Sequence, residues 1–270
     1  RLRATNNIGA SAWITIAVTT PPATPTNLAA TPTASSINLT WTDTSTNETG
    51  FELQRKTGEA GSWTTLTTLA ANTTSHSDNT IALEQTYVYR VRALGTADSP
   101  WSAEAKATAP WSYSEINQNI LPGDFDANGS TWTLKSAGKW INGTNDYMTF
   151  AHQSAPGSGE LIVRLASWSN TQAWSRAGIM LREGTAQNAR NFAILATPSN
   201  GLFVSRRDTT NGATTRYGTV TPTPSLANLW MRLVWAGGTV TGYYSTNGGS
   251  SWTQIHLPSS ISGWSNIRVG

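Results

Sequence analysis

The 270 residues include no cysteine, which excludes a disulfide framework, a thiolate metal site and a cysteine nucleophile. Secretion is still permitted, because extracellular domains of this size can stand on hydrophobic burial alone. Charged residues are scarce, at 12%, and no apolar run approaches the ~20 residues of a membrane span, so membrane insertion is not expected. Residues 1–10 lack the pattern of a signal peptide, which places any export signal upstream. No apolar stripe recurs at helical spacing, and neither a recognition helix nor zinc-ligand spacing occurs, so no nucleic-acid partner is expected.

What remains is a Thr-, Ser-, Gly-, Asn- and Ala-rich chain with short Val, Ile, Leu, Tyr and Trp runs between turn residues, an all-β profile. Its length suits about two domains. Residues 21–110 carry five basic and eight acidic groups, whereas 111–270 carry eleven and seven. The basic excess of the second part reads first as a solvated surface, with an anionic glycan or a nucleic acid as the sharper alternative, the latter without sequence-specific contacts to support it.

A short internal repeat organises the first part. Arg1-Leu2-Arg3-Ala4 is echoed by Arg90-Val91-Arg92-Ala93, and Trp13 and Trp101 follow at nearly the same distance. Residues 1–20 are therefore expected to be the last strands of a preceding module, and the Pro-rich segment 21–25 a linker into a complete one. Within 21–110, alternation predicts inward rows at Ile37, Leu39 and Trp41, at Phe51 and Leu53, and at Tyr87, Tyr89, Val91 and Ala93.

These residues resemble the fibronectin type III family over about 22–109, through Pro25 with Leu28, Leu39-Thr40-Trp41, Gly50-Phe51 with Gln54-Arg55, and Thr86 to Ala93. The resemblance implies an immunoglobulin-like sandwich with Trp41 between the sheets, Tyr87 as a tyrosine-corner residue, and a spacer role. The family's Arg-Gly-Asp adhesive tripeptide is absent.

From Trp111 onward, strands are predicted at 132–134, 147–152, 160–168, 177–182, 191–196, 202–207, 229–235, 239–245 and 251–255, with turns at Asn200-Gly201, Asn211-Gly212 and Asn247-Gly248-Gly249. The motifs Gly157 to Glu160, Trp174 to Glu183, Thr197 to Gly201, Trp230 to Leu233 and Tyr244 to Trp252 are similar to a bacterial concanavalin A-like domain of unknown function, over about 116–270. That resemblance implies a jelly-roll sandwich at 111–270, often found beside fibronectin modules and glycoside hydrolases. Where relatives read Asp-Ile-Trp-Gly, this chain has Trp140-Ile141-Asn142-Gly143. It also ends at Arg268-Val269-Gly270, where the family continues, so a domain truncated at its C-terminus is expected.

Catalysis is not expected. Glucanases of this architecture show a tight Glu-x-Asp-x-x-Glu array, and the acids here are scattered, with Glu160 and Glu183 suited to pairing with Arg. No serine elbow accompanies His76, His152 or His256. Asp124-Phe125-Asp126-Ala127-Asn128-Gly129-Ser130 imitates the opening of a calcium loop, making Asp124, Asp126 and Asn128 candidate calcium ligands, although the distant Glu is replaced by Lys135. Otherwise no cofactor is implied.

Thirteen Trp exceed what two cores need, and sugar rings stack on exposed indoles. Trp140, Trp168 and Trp174, with Arg182 and Arg206, are the candidate carbohydrate-binding residues, while Trp230 and Trp252 are assigned to the core. Three functions remain open. One is a bacterial extracellular or cell-surface protein whose fibronectin spacers present a carbohydrate-binding module. The others are a self-associating matrix or filament subunit and an accessory region of a glycosidase.

Overall fold

Alternation of apolar and polar side chains shapes the first part of the chain. In the computed structural model, which describes all residues except 1, 15–19, 118–120, 139–140, 156, 170–171 and 226–227, two units meet at Pro110 and Trp111. Every named element among the described residues is a β-strand. Unit 1 has β1 (Thr5–Asn6), β2 (Gly9–Ala10), β3 (Thr26–Pro32), β4 (Ile37–Thr42), β5 (Gly50–Thr57), β6 (Thr64–Ala70), β7 (Ser75–Asp78), β8 (Gln85–Leu94) and β9 (Ala105–Ala109).

The order β3-β4-β7 forms one antiparallel sheet, and β9-β8-β5-β6 forms the other. On β4, Ile37, Leu39 and Trp41 are buried while Asn38, Thr40 and Thr42 face water. They meet Phe51, Leu53, Tyr87, Tyr89, Val91 and Ala93 in one core, each large apolar member contributing roughly 1.5–3 kcal/mol by leaving water. Trp41 packs on Phe51 with ring centroids 5.8 Å apart. The Tyr87 hydroxyl accepts from the Ala82 N–H at 2.9 Å, tying the start of β8 to the preceding loop as a tyrosine corner does.

The internal repeat is structural as well. Leu2 and Ile14 exchange backbone hydrogen bonds, as Val91 accepts from the Ser102 N–H. Ser11 accepts from the Ala4 N–H through its hydroxyl at 3.1 Å, and Ser99 accepts from Ala93 in the same way at 2.9 Å. Arg3 lies 4.6 Å over Trp13, and Arg92 lies 4.6 Å over Trp101. The two hairpins differ in burial. Val91 and Ala93 are fully enclosed, whereas Leu2, Ile8, Trp13 and Ile14 are all exposed.

Unit 2 comprises β10 (Ser112–Ile116), β11 (Asp124–Asn128), β12 (Thr131–Lys135), β13 (Ile141–Asn142), β14 (Asn145–Asp146), β15 (Met148–Ser154), β16 (Gly159–Arg164), β17 (Ala177–Glu183), β18 (Asn191–Ala196) and β19 (Leu202–Arg207). Then follow β20 (Thr215–Val220), β21 (Trp230–Ala236), β22 (Thr239–Ser245), β23 (Thr253–Gln254), β24 (Ser259–Ser260) and β25 (Ile267–Val269). A seven-stranded sheet runs β10-β15-β25-β17-β18-β19-β20, and a second runs β16-β21-β22 with β23 and β24 both paired to β22. Ile179, Leu181, Phe192, Ile194 and Val204 of the first sheet pack on Met231, Leu233, Trp235 and Val240 of the second, making unit 2 a sandwich.

Several expectations change here. The phase of β21 puts Met231, Leu233 and Trp235 inward, so Trp230 is on the opposite, half-buried row rather than in the core. Trp252 is likewise half-buried, with Arg232 5.6 Å from its ring. β20 was not expected, because Thr-Arg-Tyr-Gly-Thr-Val offers no apolar row. Residues 267–269 form a strand between β15 and β17.

Candidate ligand-binding recess

The seven-stranded sheet has apolar residues on both faces. One face meets the second sheet. The other carries Ile116, Met148, Phe150, Met180, Ala193, Leu195 and Phe203, and Ile141 of the β13–β14 hairpin packs on this row. β18 is accordingly buried at all six positions.

Buried charge holds that hairpin down. Asp146, with no exposed side-chain area, ion-pairs with Arg182 and, at 2.7 Å, with Arg207, both equally enclosed. It also accepts from Asn191 at 3.3 Å. Arg207 donates to the carbonyls of Gly143 and Gly212, at 3.2 and 3.0 Å, and to the Thr214 hydroxyl. Burial lowers the basicity of Arg182 and Asp146 partly restores it. Two guanidiniums on one carboxylate are viable in the interior because backbone oxygens of Ala186, Gly143, Ala189 and Gly212 take up most of the surplus donors, with Arg182 Nε left without a partner among the described residues.

Beyond Ile141 the cover ends, and a recess of ≈ 200 Å³ opens, lined by Ile141, Asn142, Trp174, Arg176, Phe203, Ser205, Thr214 and Arg216. Phe203 forms its apolar floor, with the Arg216 guanidinium 4.2 Å and that of Arg176 5.9 Å from its ring. Trp174 is about half exposed and lies 5.4 Å from Arg216. Arg176 donates to the Ile141 carbonyl, and Arg216 to the Thr219 hydroxyl at 3.1 Å and the Asn200 carbonyl at 2.8 Å. The Asn200-Gly201 turn puts β19 in place, because Gly201 has φ +88° and a Cβ there would meet the Val220 carbonyl at 2.4 Å.

Of the four candidate sugar-binding residues that lie among the described residues, the structure brings only Trp174 to this recess. Arg182 is removed from any surface platform, since the β13–β14 hairpin encloses it against Asp146. Trp168 packs on the core between the sheets, away from the recess. Arg206 belongs to the inward-facing row of β19 with Val204, where it pairs with Asp208 and bonds Ser259 at 3.0 Å. Trp140 lies outside the described residues. Arg176 and Arg216 were missed: Arg176 stands inside the motif that singled out Trp174, and Arg216 is on the unexpected strand β20.

The segment 124–128 is an extended strand paired with 131–135, not a loop wrapped around an ion. Asp124, Asp126 and Asn128 share one face of this hairpin, and Lys135 lies 3.6 Å from Asp124. Among the described residues no group of three or more His, Cys, Asp or Glu could hold a metal. Glu160 pairs with Arg232 and Glu183 with Arg190, at 2.8 and 2.6 Å. The Arg190 hydrogen bond holds Glu183 down at about 2.

A Ser–His contact does occur, Ser114 Oγ to His152 Nε2 at 2.9 Å, but Nδ1 of His152 has no partner among the described residues. With no carboxylate to orient the ring, this is half of a triad at most. Burial, and secondarily Arg268, depress His152 to about 4.

No family model matches the chain, and no curated protein matches it. Solved structures do. A Fn3-like protein from Clostridium thermocellum is 30% identical, covering 32% of this chain and 92% of that one, with a TM-score of 0.29. Titin kinase with its flanking domains is 21% identical over 33% of this chain (TM-score 0.30), which spans only 17% of that protein. A two-domain fibronectin type III segment of chicken tenascin is 12% identical over 88% of this chain and 99% of its own length, with a TM-score of 0.30. Unit 1 itself has the three-plus-four strand order, core Trp41 and tyrosine corner of a fibronectin type III sandwich. The protein is thus an all-β chain of two sandwich units. Among the described residues no helix is long and apolar enough to cross a membrane.

Proposed function

We propose that this chain is a non-catalytic region of an extracellular multidomain protein, in which a fibronectin type III spacer presents a concanavalin A-like sandwich that binds carbohydrate. The observation that carries this reading is the recess on the outer face of the seven-stranded sheet, with a half-exposed indole, Trp174, at its rim. Stacking of a sugar's C–H face on such an indole combines with hydroxyl recognition by Asn142, Ser205, Thr214 and the two arginines. The departure at Asn142 fits this use, since an amide replaces the bulkier aromatic of relatives at a lining position. At ≈ 200 Å³ the recess is below the roughly 300–1,000 Å³ of drug-sized pockets, which suits one sugar residue rather than an enclosed oligosaccharide.

Affinity electrophoresis through gels cast with soluble polysaccharides tests the reading. The intact chain is expected to be retarded by at least one glycan, and Trp174→Ala to lose about tenfold in affinity, the scale of one lost stacking contact plus its neighbouring bonds. Unchanged retardation in Trp174→Ala removes the recess as the site.

A further inference from the structure

Five arginines of unit 2 are paired with carboxylates. Arg182 and Arg207 share Asp146, Arg190 holds Glu183, Arg206 holds Asp208 and Arg232 holds Glu160. Arg164, Arg176, Arg216 and Arg268 have no such partner among the described residues, and of these Arg176 and Arg216 line the recess together. Among the described residues no carboxylate pairs with either, no acid lines the recess, and both overlie the same Phe203 ring. Two guanidiniums converging on one apolar floor repel each other, and Arg176 is half-buried there, a cost that an anion between them would relieve.

We infer that the recess selects an acidic sugar residue, its carboxylate or sulfate oxygens held between Arg176 and Arg216 while the ring stacks on Trp174. This rests on the carbohydrate-binding reading and narrows it. The donors suit the task. Arg176 uses Nη1 on Ile141 and Arg216 uses Nε and Nη2 on Thr219 and Asn200, which fixes each guanidinium plane and leaves other N–H groups for the ligand. Planar forks of this kind match the paired oxygens of a carboxylate or sulfate better than single hydroxyls do. The half-buried Arg176 side chain is also a cation that a bound anion would stabilise. Burial first and the neighbouring Arg216 second hold it below the ordinary arginine value.

The test uses the full chain in gels containing a polyuronate, a sulfated galactan or a neutral glucan, at fixed ionic strength. Preferred retardation by the polyuronate assigns a carboxylate, and preferred retardation by the galactan assigns a sulfate; either supports the inference. Arg216→Gln removes one fork from an exposed side chain and should weaken that retardation about tenfold. Arg164→Gln removes the same charge from the other sheet and should change it less than twofold. Equal losses in the two variants mean that bulk charge is responsible and overturn the inference. Equal affinity for neutral glucan with no effect of Arg216→Gln also overturns it, while leaving the carbohydrate reading in place. Retardation by no glycan at all defeats both.

Discussion

On β4 of unit 1 three residues enter the core and three face water, whereas on β18 of unit 2 all six are buried. The reason lies in what covers the sheet. Unit 1 has one core between its two sheets, and its ion pairs, such as Arg92 with Glu52 and Asp98, are half-buried on an outer face. Unit 2 repeats that inner core and then covers the reverse of its larger sheet with the β13–β14 hairpin, anchored by Asp146. A cover of a few residues cannot span a seven-stranded sheet. Where it ends, an apolar floor and polar rim are left beside each other, which is the composition of a ligand site.

The largest effect that separates the units concerns their buried aspartates. Asp146→Asn leaves two enclosed guanidiniums short of a counter-charge, and breaking such a pair typically costs about 3–5 kcal/mol. Asp78 of unit 1 is also enclosed, but its partner Arg55 reaches solvent and can be hydrated after Asp78→Asn. Urea titrations followed by NMR signals of β5 and β17 should therefore show a larger loss in unit 2 for Asp146→Asn than in unit 1 for Asp78→Asn. Equal losses would break the comparison, because they would mean that the hairpin's anchor is no more enclosed than a strand-edge ion pair.

Acid is the next discriminator. His152 is depressed to about 4, from an ordinary value near 6.5, so the folded chain resists a proton that the unfolded chain accepts. Its contribution is complete at neutral pH and declines as pH falls from about 6.5 to 4, by up to roughly 3 kcal/mol. In unit 1 the shifted carboxylates act in the same direction but over a lower pH range. Burial opposes ionisation of Asp78, but hydrogen bonds from Thr80, Arg55 and Tyr89 outweigh it and keep the group below its usual range. That stability persists above the ordinary carboxylate value and is lost only as pH drops through the lower folded one. Unit 2 should thus soften first, and His152→Phe should remove the slope between pH 6.5 and 4.

These differences explain what could be foreseen from residues alone. One-sided strands announce themselves, so Ile37, Leu39, Trp41, Tyr87 and Tyr89 were assignable from alternation. A sheet covered on both faces erases that signal on β18, whereas on β21 the alternation is present but a Trp on each row left the phase between Trp230 and Trp235 open. Site assignment failed for a related reason. Arg176 and Arg182 project from the same sheet face, six residues apart, and nothing local tells which one the Asp146 hairpin will cover. Trp174 was legible because it begins a recognisable motif. Arg216 was not, because polar β20 hides in its surroundings.

The smallest expected effect compares two hairpins within unit 1. Trp101 stacks beneath Arg90 and Arg92, at 4.2 and 4.6 Å, on strands whose inner residues are fully buried. Trp101→Ala should destabilise unit 1 by about 1–2 kcal/mol, from two cation–π contacts and the lost packing area. Trp13 has the equivalent contact to Arg3, but beside it Leu2 and Ile14 face solvent, so the same substitution removes no element of a core. Trp13→Ala should stay within about 0.5 kcal/mol. A matching loss at Trp13 would mean that the repeated contact stabilises the sandwich by itself. A difference assigns the stability to the enclosed row behind it, and makes the same hydrogen-bond pattern a module edge in one place and an uncovered hairpin in the other.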